Sequence, residues 1–180
     1  MDTDPIIASA LDIIADEATL KNDQREVLSI KSSDENIQRV LYNLFYDILN
    51  IEFNLWSWTR NMCKYGDFFL KLEISEKYGV YNVLPYTVYH MVRREGEDPG
   101  APQKVTFTID PDGLASQNDP NYMPKSDRRA IHLDNYEVAH FRLISDTNYL
   151  PYGRSYLEPA RKVFKQMTLM EDAMLIHRIM

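Results

Sequence analysis

The residues that could do chemistry are few: four histidines, one cysteine, and one Gly-x-Ser turn. Gly153-Arg154-Ser155-Tyr156-Leu157 has the opening of a nucleophile elbow, Gly-x-Ser-x-Gly. Leu157 stands where the second glycine is required, and no buried strand precedes the turn. Ser155 followed by Glu158 fits a helix capping box better, in which both side chains satisfy backbone N–H groups at a helix start. His90, His132, His140 and His177 have no histidine neighbour at three or four residues, and Cys63 has no cysteine partner. A zinc site needs such short spacings on at least one side. His132 and His140 could meet across a hairpin, as a metal site or, more simply, as a pair of sheet histidines. Asp110-Pro111-Asp112-Gly113 lacks the acidic spacing and closing glutamate of a calcium loop and reads as a turn. Gly66, Gly79 and Gly96 are isolated, so no glycine loop cradles a phosphate. The expectation is no catalytic residue, no cofactor site and no metal site.

Composition bounds the remaining classes. The chain has 180 residues with 44% hydrophobic and 26% charged residues, which suits a folded domain rather than a disordered one. Its net charge of −7 argues against a dedicated nucleic-acid binder. The charge is uneven: 149–180 holds five Lys/Arg against three Asp/Glu, and the remainder holds fifteen against twenty-four. One cysteine rules out an internal disulfide and fits a reducing compartment. No apolar run reaches membrane-spanning length, and the acidic start MDTDPIIASA is no signal peptide.

The elements follow from periodicity. Asp4-Pro5 starts a helix that fades near Ala18, with Ile6, Ala10, Ile13 and Ile14 on one face. Arg25–Ile30 alternates like a short strand. Ser33 or Asp34 caps a second helix with the stripe Ile37, Val40, Leu41, Leu44, Phe45 and Ile48, interrupted at Asn50. Another helix runs from about Phe53 to Tyr65, with Leu55, Trp56, Thr59 and Met62 on one side, and Gly66 ends it. Asp67–Ile74 is a strand. Glu76–Gly79 is a turn, and two strands, Val80–Leu84 and Tyr86–Arg93, are separated by Pro85. Residues 95–103 form a loop, and Lys104–Ile109 is another strand. Residues 111–127 are an exposed excursion. Ala130–Leu133 and Val138–Leu143 are short strands around Asp134-Asn135. The core candidates are Ile37, Leu41, Leu44, Phe45, Ile48, Trp56, Phe68, Leu70 and Leu72. The fold class is α+β: a helical N-terminal half, antiparallel strands in the middle, and a long C-terminal helix.

That last helix, expected over Ser155–Met180, spans roughly 40 Å at 1.5 Å per residue. Pro159 sits harmlessly in its first turn. Leu157, Ala160, Val163, Phe164, Met167, Met170 and Met174 form an apolar stripe. Arg161, Lys162 and Lys165 project near its start, Glu171 and Asp172 further on, and Arg178 near its end. It is either a core helix with a solvated face or an inter-subunit helix on which methionine packs adaptably. The pattern carries no stop signal, so the chain is read as part of a longer protein.

Three blocks carry a resemblance: DPIIASALDIIADEA, ENIQRVLYNLFYDILNIEFNLWSWTRNMCKYGDFFLKLEI and YGRSYLEPARKVFKQMTLMEDAMLIHRIM. With them the chain resembles the portal vertex proteins of T-even-like tailed bacteriophages, including relatives that infect marine cyanobacteria. The resemblance implies a wing-like α+β domain over 1–153 and, over 154–180, a helix leading into the stem. It implies a homododecameric ring at one capsid vertex, serving DNA packaging, genome ejection and head-tail attachment. The implied partners are the terminase large subunit, major capsid and scaffold proteins, neck proteins, and double-stranded DNA passing through without sequence preference. The implied location is the virion, with assembly in the host cytoplasm. ATP hydrolysis would belong to the terminase, so no enzyme activity is expected. Arg161, Lys162, Lys165, Met167, Met170, Glu171, Asp172, Met174 and Arg178 are the expected subunit or channel contacts. The alternatives are a helix-bearing oligomerisation or adaptor module, or an enzyme with residues 111–127 as a lid.

Overall fold

The computed structural model describes residues 2–23, 25–96, 99–109, 131–144 and 150–179. The excursion over 111–127 and the Asp110–Gly113 turn lie outside them. Helix α1, Pro5–Ala18, starts where Asp4 Oδ1 accepts the N–H groups of Ile6 and Ile7 at 2.9 and 3.2 Å. Helix α2, Glu35–Tyr42, starts in the same way on Asp34. It runs into a π-helical turn, Asn43–Ile48. Asn50, at φ 43°, breaks the chain direction before helix α3, Ile51–Tyr65. Asparagine tolerates that left-handed region better than most residues. Gly66 closes α3 at φ +88°.

Among the described residues six strands follow: β1 Asp67–Ser75, β2 Gly79–Tyr86, β3 Met91–Glu95, β4 Val105–Ile109, β5 Ile131–Asp134 and β6 Val138–Arg142. They form two antiparallel sheets, ordered β2-β1-β6 and β3-β4-β5. A single 3-10 turn, Asn135–Glu137, carries the chain from one sheet to the other. The sheets bury Phe69, Met91, Phe107, Ile109, Leu133 and Val138 between them. Phe69 and Phe107 meet edge to face at 6.2 Å. On the other side of β1, Phe68 lies against Trp58 of α3 and Phe141 of β6. Covered on both faces, the start of β1 is a continuous buried run rather than an alternating one. Helix α4, Arg161–Ile179, leaves this body with no buried residue.

Several expectations are corrected. Arg25–Ile30 is irregular; Leu28 offers its carbonyl to the Tyr46 hydroxyl, and Ile30 to the Gln38 amide. The buried face of α1 is Leu11 and Ala15, which pack toward α3, while Ile6 and Ile13 face solvent. Pro85 lies inside β2 rather than breaking it, because β2 is an edge strand and can spare an N–H. Phe68 and Leu70 are core residues as expected, but Ile37 is 53% exposed and Trp56 37%. Leu41, Leu44, Phe45, Ile48 and Leu72 are half-buried. The π turn changes the angular step after Tyr42, so the stripe cannot stay on one face. Trp56 instead donates its indole N–H to Asp16 at the rim of α1. The regular helix expected from Ser155 begins at Arg161.

Phe107→Ala should destabilise the fold by about 3–5 kcal/mol, the usual cost of emptying a buried aromatic site. Ile37→Ala should change it by less than about 1 kcal/mol, as an exposed substitution does. Urea unfolding of the two variants checks the contrast.

Candidate functional site

The body grips α4 at its root, residues 150–160. Asp67, the first residue of β1, lies at the junction. Its Oδ1 accepts the Nε2–H of His140 at 2.8 Å and the backbone N–H of Gly153 at 2.9 Å. Both side chains are nearly closed to solvent, His140 at 3% and Asp67 at 8%. Arg93 Nη1 lies 3.1 Å from His140 Nδ1. A guanidinium only donates, so Nδ1 accepts, and the histidine is the neutral tautomer with its proton on Nε2. Phe69 stacks on the imidazole at 4.2 Å. Burial holds the His140 pKa below its ordinary 6.5 against the pull of Asp67, and the charges of Arg93 and Arg142 push the same way as burial.

Around this node the root, residues 150–160, forms a strap that is sewn to its neighbours. Leu143 N–H donates to Gly66 O, Arg154 N–H to Leu143 O, and Tyr156 N–H to Cys63 O. Ser155 Oγ donates to Lys64 O at 2.5 Å and accepts from Leu157 N–H at 3.0 Å. Arg142 donates to Pro151 O at 2.7 Å. The approach demands two glycines. A Cβ on Gly153 would stand 2.1 Å from Gly66 O, and a Cβ on Gly66 would stand 2.7 Å from Arg154 C. Ser155 thus ties the root to the C-terminal carbonyls of α3, and Glu158 pairs with Arg161 at 3.5 Å instead of completing a capping box.

From this root α4 stands in solvent. Arg161, Lys162, Lys165, Met167, Met170, Glu171, Asp172, Met174 and Arg178 are all exposed. The structure brings Met167, Met170, Glu171 and Met174 together with Val163 and Gln166 along one shallow apolar trough. At 100° per residue, Val163, Met167, Met170 and Met174 fall within an arc of about 60°. Leu169 and Ile176, 59% and 57% exposed, stand within about 20° of the line opposite Met167. The helix thus carries two opposed apolar faces. Arg161, Lys162 and Lys165 lie away from the methionine face.

His132 and His140 do not meet. β5 pairs with β4 and β6 with β1, so the two rings belong to different sheets. His132 lies beside Thr108 Oγ1 at 3.3 Å. Among the described residues no group of three His, Cys, Asp or Glu is placed to hold a metal ion. No helix among them is long and apolar enough to cross a membrane. The Asp67–His140–Gly153 node went unnoticed in the sequence. Its one visible signal was Gly153 directly before a helix cap.

A family model described as Bacteriophage T4-like portal protein (Gp20) matches residues 1–180. No curated protein matches the chain.

Two outcomes follow from the node. The unfolded chain takes up the His140 proton before the folded one does, so stability should fall as pH drops below 6.5 and level off once the folded form also titrates. His140→Gln should remove that dependence in melts at pH 7.5 and 5.5. Gly153→Ala should cost at least ~1–3 kcal/mol, as forcing atoms into filled space does. Limited proteolysis of that variant should cut near 150–160 faster than in the parent.

Proposed function

The chain belongs to the T4-like portal protein family, and from that premise we propose that it is a subunit of the ring that conducts double-stranded DNA through the capsid vertex. Residues 1–153 serve as a wing-like domain and 154–180 as the helix leading into the stem. The role is structural. The ring passes DNA inward during packaging and outward during ejection, and it joins head to tail. Its partners are further copies of itself, twelve in the closed ring, the terminase large subunit, capsid and scaffold proteins during assembly in the host cytoplasm, and neck proteins.

The observation that carries this reading is α4: exposed, apolar on two opposed faces, and fixed at its root. A cyclic ring is built from heterologous contacts, in which each subunit offers two different surfaces to its two neighbours. One helix with opposed apolar faces supplies both. The net charge of −7 supports a conduit as well, because strong basic stripes would hold phosphates rather than let them pass.

Electron microscopy of the purified chain at high concentration should show closed rings with twelve-fold symmetry. Duplex DNA should bind weakly, without sequence preference, with affinity falling steeply as salt rises. Tight binding that survives 200 mM salt would contradict a conduit role.

A further inference from the structure

Among the described residues, five charged side chains on α4 have no ion-pair partner; one of them, Lys162, lies at about 220° from Met167, on the far edge of the Leu169–Ile176 face, and the other four concern the contact below. Lys165, Glu171, Asp172 and Arg178 form no ion pair among the described residues, whereas Arg161 reaches Glu158. None of the four has an opposite charge three or four residues away on the helix, the spacing at which side chains on one helix meet. Their angular positions sort them. Taking Met167 as zero, Glu171 lies at about 40° and Arg178 at about 20°, along one edge of the methionine face. Lys165 lies at about 160° and Asp172 at about 140°, along one edge of the Leu169–Ile176 face.

When two parallel helices are laid side by side, the methionine face of one against the opposite face of the next, these two edges fall on the same side of the contact. Glu171 follows Lys165 by six residues, and Arg178 follows Asp172 by six residues. A single axial offset of about 9 Å, six residues at 1.5 Å each, therefore matches both pairs at once. The same offset brings Met174 to within about one residue of the level of Leu169 of the next copy. With no offset, Glu171 would stand level with Asp172 of the next copy, a like-charge contact.

We propose that α4 packs in parallel on α4 of a second copy, methionine face to leucine face. The offset is six residues, with Glu171 paired to Lys165 and Arg178 to Asp172 of the next copy. This rests on the ring reading above and adds to it the face, the direction and the register. Each helix uses one face forward and the other backward, and with helices about 10 Å apart a tilt of α4 by about 40° from the ring axis turns the 9 Å offset into a contact without rise, so that rotation closes it.

Charge reversal tests it, since all four side chains are exposed and their exchange leaves the body intact. Glu171→Lys alone and Lys165→Glu alone should each weaken self-association about 3- to 10-fold in sedimentation velocity, the scale of rim ion pairs turned repulsive. Combined in one chain they should restore it. Asp172→Arg and Arg178→Asp should behave as a second such set. Met174→Cys and Leu169→Cys in one chain should form a ladder of disulfide-linked oligomers, and Met174→Cys alone should form no dimer; Cys63 is buried and does not compete. Single reversals that associate like the parent, doubles no better than singles, dimers of Met174→Cys alone, or a parent that stays monomeric at millimolar concentration would overturn the proposal. Rings that form equally in every variant would remove this register and leave the portal reading standing. Swap-dependent association into open chains without rings would do the reverse.

Discussion

One carboxylate oxygen joins the three parts of this molecule. Asp67 Oδ1 receives an imidazole N–H from β6 and a backbone N–H from the strap at Gly153, while its own residue begins β1 directly after α3. A buried carboxylate is costly unless its hydrogen bonds are made. Here two donors meet it, and the neighbouring Arg93 fixes which nitrogen of His140 carries the proton. The chain can approach only because Gly66 and Gly153 lack side chains where their backbones touch. The helix end, both sheets and the strap are thereby tied at one place, and α4 departs from that place.

The consequence is mechanical. α4 is 19 residues long, about 28 Å. A tilt of about 10° at its root would move its far end by about 5 Å, close to one helical turn. A subunit that joins its neighbours through such a helix needs a root without play. The two glycines, the Ser155 ties to α3 and the Asp67 node remove that play without any side chain of α4 itself being buried. Its own faces are thereby left exposed.

Local signals in the sequence were readable and distant ones were not. Asp4-Pro5, Asp34 and Gly66 marked helix ends because capping is a short-range matter of backbone hydrogen bonds. β1 and β4 emerged from alternation, but Arg25–Ile30 alternates as well and is irregular. The buried Phe69 escaped because period-two reasoning assigns one buried face to β1, and here tertiary packing covers both. The stripe through α2 was over-read because nothing in NLFYDI announces a π turn. His132 and His140 looked like hairpin neighbours because a short 3-10 turn between strands gives no sign that it changes sheets. The exposure of the methionine face was legible as one of two readings of α4. The anchor was not, because Asp67, His140 and Gly153 are up to 86 residues apart and meet only through the fold.

The most direct measurement is of the rigidity of α4 on its body. Spin labels at Lys104→Cys, beside β4, and Thr168→Cys, on α4, would report their separation by pulsed dipolar spectroscopy in dilute monomers. A single narrow distance distribution, unchanged on assembly, is the predicted result. A broad distribution in the monomer that narrows only on assembly would contradict it, because the neighbours rather than the Asp67 anchor would then set the helix direction.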